Sequence, residues 1–160
     1  MTVFPNERAW SGNALLTRAD EAEQLGAGAN TVRLLADGST TDGAISANRT
    51  RLAAGVEGPP PHFHNGSAEI FFVIEGVAQA LAGDRVLTLE KGDFLVVPKS
   101  MPHAFATPAG SAADLLIVFA PGMQDRSAYF RLIDRVTRGR ASPNAAQRSG
   151  IMLVTCVFVR

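Results

Sequence analysis

The chain has one cysteine, Cys156, and three histidines in 160 residues. A lone cysteine excludes an internal disulfide framework and any cysteine-rich zinc or iron–sulfur site, and it fits a reducing compartment. Excess charge is missing too. Fifteen Lys and Arg balance fifteen Asp and Glu, so nothing electrostatic points to nucleic acid or to an anionic membrane surface. The first residues carry no basic start followed by an apolar stretch, so no secretion signal is expected. The longest apolar run, residues 151–159, is too short to cross a bilayer as a helix. The expectation is a soluble cytoplasmic protein of one domain. Its apolar fraction of 46% is enough to bury a core without disulfides or a structural metal.

What is present is a series of short β-forming segments split by turns. Residues 14–17 read as a short strand and 19–25 as a turn or two of helix. The glycines of residues 26–30 lack the third glycine of a dinucleotide-binding loop and read as a plain turn. Residues 32–35, 45–52, 69–74, 77–81, 86–89, 94–97, 103–106 and 115–119 then read as strands. No helix-length segment lies between them, which predicts an all-β antiparallel sandwich or barrel. After residue 122 the period changes. Tyr129, Leu132, Ile133 and Val136 fall at i, i+3, i+4 and i+7, which predicts a short amphipathic helix with its stripe on the outside of the β body. The expected divisions are an N-terminal extension of strands (1–40), a barrel core (41–121), a C-terminal helix (122–140) and a tail without assigned role (141–160). The apolar run inside that tail has to be buried or paired at a sheet edge, or else it is disordered.

All three histidines lie in two stretches, residues 59–76 and 92–103. On a strand, positions i and i+2 share a face, so His62 and His64 present two imidazoles to one point. The turn at residues 65–67 lets the next strand return with Glu69 beside them. If the second stretch lies alongside the first, His103 brings a third nitrogen. Three neutral nitrogens and a carboxylate suit Fe, Mn, Ni, Co, Cu or Zn, and an octahedral ion would keep two positions for substrate or oxygen.

The two stretches resemble the paired motifs of the cupin superfamily, G-x5-H-x-H-x3,4-E-x6-G and G-x5-P-x-G-x2-H-x3-N. His62, His64, Glu69 and Gly76 fall in register with the first, although Gly55 comes one residue early. Gly92, Pro98 and His103 match the second, with Ser100 where the family has glycine and Thr107 where it has asparagine. The resemblance covers about residues 40–120. It implies a cupin jelly-roll β-barrel, one divalent transition metal ion on His62, His64, Glu69 and His103, and a homodimer. The ligand set is similar to that of quercetin dioxygenase-like cupins, in which the matching glutamate also takes a proton from the substrate; Glu69 is the expected catalytic residue. Strand parity adds Phe71, Val73, Gln79, Met101 and Phe105 as expected pocket residues, and the apolar lining suits an aromatic or enolic small molecule. The leading expectation is a dioxygenase-type oxidoreductase. The alternatives are a non-redox cyclase or isomerase using a Lewis-acid metal, or a non-catalytic small-molecule-binding cupin.

Overall fold

The computed structural model describes residues 14–140 and the backbone of 157–158. The strands among these are β1 Gln24–Ala27, β2 Asn30–Ala36, β3 Ser46–Leu52, β4 His62–Phe63, β5 Ala68–Ala82, β6 Arg85–Glu90, β7 Phe94–Val97, β8 His103–Ala106, β9 Ala113–Ala120 and β10 Val157–Phe158, and helix α1 spans Arg126–Thr137. The described residues are mostly β, a curled antiparallel sheet of barrel type, with one short C-terminal helix.

Strand β5 is the spine. Its 15 residues cover what the sequence suggests are two strands. The first half pairs antiparallel with β7 and β9, and the second half with β6 and β8. The strand therefore passes from one sheet, ordered β1-β2-β3-β9-β5, into the other, ordered β5-β8-β4-β10. The crossing is a bulge: the register against β9 slips between Val73 and Glu75, and Gly76 follows at φ +79°. A Cβ at Gly76 would collide with the Ala112 carbonyl, which is held there by the Val77 N–H at 3.1 Å. Only glycine suits that position.

The bulge also resets the face that points inward. Glu69, Phe71 and Val73 are buried before it, and Ala78 and Ala80 after it. Inward parity of Gln79 is therefore overturned: an unbroken alternation would bury it, but the extra residue turns it outward and leaves it exposed. The core lies between the sheets, where β9 alternates without interruption. Ala113, Leu115, Ile117 and Phe119 all face in, with Phe71, Val73 and Val97 beside them on the neighbouring strands of the same sheet. Full burial of each large side chain contributes about 1.5–3 kcal/mol.

Residues 14–25 depart from their reading, whereas the strands expected at 32–35 and 45–52 are present as β2 and β3. Residues 14–17 form no strand, and 18–22 make a single turn closed by the Ala22 N–H to the Arg18 carbonyl at 3.0 Å. The helix expected to run to residue 25 is pre-empted because Gln24 and Leu25 pair with β2. The glycine-rich stretch is the turn of the β1–β2 hairpin. Thr107, where the motif has asparagine, accepts the Val56 N–H at 2.9 Å and donates to the Ala53 carbonyl at 2.6 Å, fastening the loop after β3 to the end of β8. In the tail, the backbone of Val157–Phe158 pairs with β4; the rest of the apolar run, and Cys156, lie outside the described residues.

Helix α1 is fastened at both ends. Asp37, from the loop after β2, accepts the Ser127 N–H at 2.9 Å. Asp125, the helix's own cap position, makes no capping side-chain bond. Further along, Asp134 accepts the Gly26 N–H at 2.8 Å, and Arg131 pairs with Glu23 at 2.7 Å. Leu132 is buried as the stripe requires, but Ile133 is 41% exposed. The helix is rotated so that Arg126, Tyr129, Phe130 and Ile133 border a cavity, and so it walls the barrel mouth rather than simply padding its outside.

Candidate metal centre and its cavity

The short strand β4 sets His62 opposite His103 of β8, and His64 follows two residues on. Glu69 reaches the same point from the inward face of β5. The chain between His64 and β8 is held by the Ser100 N–H, which donates to the His64 carbonyl at 2.8 Å. Ser100 itself has φ +63°, a conformation that favours the glycine it replaces in the motif. The four side chains are all buried, and one ligand atom from each lies within 4.8 Å of the others. The imidazole rings pack with centroids 4.4–5.2 Å apart, and His64 meets the Phe119 ring edge-on at 5.3 Å.

The hydrogen bonds fix which nitrogens face inward. Carbonyl oxygens only accept, so His103 Nδ1 donates to Met101 at 2.8 Å and His62 Nδ1 donates to Pro60 at 2.9 Å. A neutral ring then turns its Nε2 lone pair to the centre. His103 Nε2 lies 2.7 Å from Glu69 Oε2, and His64 Nε2 lies 3.1 Å from the same oxygen. Burial works to raise the Glu69 pKa, but with a proton on each Nε2 the bonds donated by His103 and His64, with the charges of His103 and Arg126, prevail and lower it to about 2. An ionised carboxylate facing an imidazole lone pair requires a cation between them, whether a proton or a metal ion. This donor set fits a metal, and the four residues could hold one.

A cavity of about 420 Å³ opens onto His62 and Glu69. Its walls are mainly apolar, from Val32, Leu52, Phe105, Ile117, Phe130 and Ile133. Of the pocket residues suggested by parity, Phe105 lines it. Phe71 and Val73, 1% and 0% exposed, belong to the packed core instead, while Glu69 on the same face of β5 reaches the cavity. Met101 is partly buried against that core and positions His103 through its carbonyl. Gln79 borders a separate outer groove with Val86 and Ala104. Arg49 and Arg51 do not reach the cavity; both pair with Asp114, at 2.7 and 2.8 Å.

Sequence reasoning missed the polar groups of the cavity: Asn48 and Thr50 on β3, and Arg126 and Tyr129 on α1. A signal was available for the helix. Residues 126, 129, 130 and 133 form their own i, i+3, i+4, i+7 stripe beside the one chosen, but its arginine hides it from an apolar count.

Residues 48–119 match the family model described as the cupin domain. A search of curated proteins finds no match. Among solved structures, an RmlC-like cupin from Shewanella frigidimarina superposes with TM-score 0.59 at 20% identity, covering 71% of this chain and 96% of that one. The polyketide cyclase RemF from Streptomyces resistomycificus gives 0.56 at 22% identity, over 68% and 80%. An oxalate decarboxylase variant from B. subtilis gives 0.59 at 19% identity, over 74% and 32%. At these identities the likeness is one of fold, and structural neighbours of this kind include enzymes. Residues 48–119 match the cupin domain, and the chain that carries them has the cupin fold, a barrel around a buried three-histidine, one-glutamate cluster.

Proposed function

We propose that this protein is a metal-dependent enzyme acting on a small, largely apolar enolic or phenolic molecule, with dioxygenase-type chemistry. The observation that carries the reading is the donor set: Glu69 Oε2 lies 2.7 Å from a nitrogen lone pair at the floor of an apolar cavity. A divalent transition metal bound by His62, His64, Glu69 and His103 would supply Lewis acidity to a substrate oxygen and, if redox-active, electron transfer to oxygen.

The chain's own residues supply the rest. His62 and His103 are held in orientation by the Pro60 and Met101 carbonyls, which keeps both Nε2 atoms aimed at one point. The apolar walls exclude water from the reacting centre. A carboxylate such as Glu69 takes a proton most readily from a hydroxyl acidified by the metal, which favours an enol or phenol over an unactivated C–H bond.

A specific observation supports a second reading. Tyr129 borders the same cavity as Glu69, and a phenol there is a group of the kind that proton transfer in a non-redox cyclase or isomerase uses. The likeness in fold to the polyketide cyclase RemF supports it.

The test is metal analysis of the isolated protein with a His62→Ala control, followed by oxygen uptake with enolic and phenolic substrates. Near-stoichiometric redox-active metal, uptake with wild type, and turnover lost in Glu69→Gln with metal retained would support the oxygenase. Zinc alone with turnover but no uptake would move the assignment to the cyclase or isomerase. Absence of metal after reconstitution would refute both.

A further inference from the structure

Among the described residues, one cation bordering the cavity is held by aromatic rings alone. The Arg126 guanidinium carbon lies 4.5 Å from the Phe119 ring centroid, 4.6 Å from Tyr129 and 4.8 Å from Phe130. Stacking of this kind holds a guanidinium flat and keeps water off its faces, but leaves its N–H edge available. Among the described residues no hydrogen bond or ion pair reaches that edge, and its Nε is buried and unsatisfied. Several neighbouring arginines are engaged instead: Arg131 with Glu23, Arg138 with Asp134, and Arg49 and Arg51 with Asp114.

A second side chain points the same way. Asn48 is 2% exposed and lines the cavity from β3. Its amide nitrogen donates to Thr50 Oγ1 at 2.8 Å, while its Oδ1 has no partner among the described residues. Buried polar atoms left unsatisfied are costly. Two of them border one apolar cavity, one from β3 and one from α1, together with His62 and Glu69.

We propose that Arg126 is the anion clamp of the substrate site, so that the substrate is a small organic acid. Its carboxylate lies along the Arg126 N–H edge, and its apolar body fills the space towards Phe105 and Ile117. This rests on the reading of the cavity as a substrate site and narrows the substrate class. A planar fork in a dry aromatic setting suits a carboxylate held by two parallel bonds. Asn48 Oδ1, an acceptor only, discriminates for a hydroxyl or N–H on the same molecule. The nearby cation also offsets the negative charge of Glu69, so an acid can enter without facing an uncompensated carboxylate.

The experiment is calorimetric binding to the metal-loaded protein, with benzoate and cinnamate as probes and their neutral amides as controls. Wild type, Arg126→Met and Arg126→Lys are compared, with metal content and melting temperature measured for each. Wild type should prefer each acid by about tenfold, as expected for charge-assisted bonds in a desolvated site. Arg126→Met should lose the preference at unchanged metal content, and Arg126→Lys should keep only part of it, since lysine has charge without the fork. Equal affinity for acid and amide in wild type, no saturable binding of either acid, or a preference that survives in folded Arg126→Met would overturn the clamp. Acid preference without any turnover would leave the clamp standing and remove the enzyme reading. Turnover confined to neutral substrates would do the reverse.

Discussion

Asp37 is remote from the metal cluster in sequence, yet it fixes the wall of the cavity. Its side chain is 8% exposed. One oxygen accepts the Ser127 N–H at 2.9 Å, and the other accepts the Ser39 N–H at 3.0 Å and its hydroxyl at 2.7 Å. Because Asp125 leaves the first turn of α1 uncapped, Asp37 does the capping from another part of the chain. In Asp37→Ala, loss of a cap costs about 1 kcal/mol, and loss of a negative charge at a helix N-terminus about 0.5 kcal/mol more. With the Ser39 bonds, the total is about 2 kcal/mol. For a domain of this size that lowers Tm by about 5 °C. Asp37→Asn keeps the shape and one acceptor and should lose about half as much. The pH dependence gives an independent check. Burial works to raise the Asp37 pKa, but the bonds from Ser127 and Ser39 prevail and hold it below the ordinary 3.8. Its contribution is therefore complete above that value and lost as pH falls through the lower folded-state pKa. Thermal melts of wild type and Asp37→Ala should differ most near neutrality and converge in acid. A variant that melts within about 1 °C of wild type at neutral pH would refute the capping assignment. So would a gap that does not shrink in acid.

Gly76→Ala forces a left-handed backbone on alanine and a clash with the Ala112 carbonyl. The denaturation midpoint should fall by an amount equivalent to about 2–4 kcal/mol. Asp114 accepts two bonds from Arg49, at 2.8 and 2.7 Å, and one from Arg51 at 2.8 Å. Burial works to raise its pKa, but the two arginines prevail and hold it below the ordinary 3.8. Asp114→Asn should cost about 1 kcal/mol at neutral pH, and the difference from wild type in urea titrations should vanish as pH drops below the ordinary carboxylate range. Chelation of the isolated protein should lower its melting temperature, with re-addition of metal restoring about 4 kcal/mol at a thousandfold excess over Kd. His103→Ala should abolish that response.

The donor cluster was legible because each of its parts is local. The pair His62 and His64 needs only the two-residue period of a strand, Glu69 follows in the same motif, and His103 stands in the second of the paired motifs. The helix was legible as a helix for the same reason. The cavity was not, and the causes are specific. The bulge between Val73 and Glu75 inserts a residue that no alternation count can see, so an inward assignment for Gln79 fails while Phe71 is correctly placed inside. Residues 24 and 25 are helix-compatible until β2 offers them a partner. The orientation of α1 depends on a bond from Asp37 to Ser127 across 90 residues of chain, which no local pattern encodes.

That division bears on how function is assigned to this chain. The cupin match ends at residue 119, and the cluster that could hold a metal lies wholly within it. Arg126, Tyr129, Phe130 and Ile133 lie beyond it and form one side of the cavity. The motif therefore supplies the ligands, while a segment outside it decides what can approach them. Superposition on the barrel alone transfers the first and is silent about the second. The guanidinium stacked on Phe119, Tyr129 and Phe130 belongs to the second part, and it is there, rather than at the histidines, that substrate choice in this protein has to be sought.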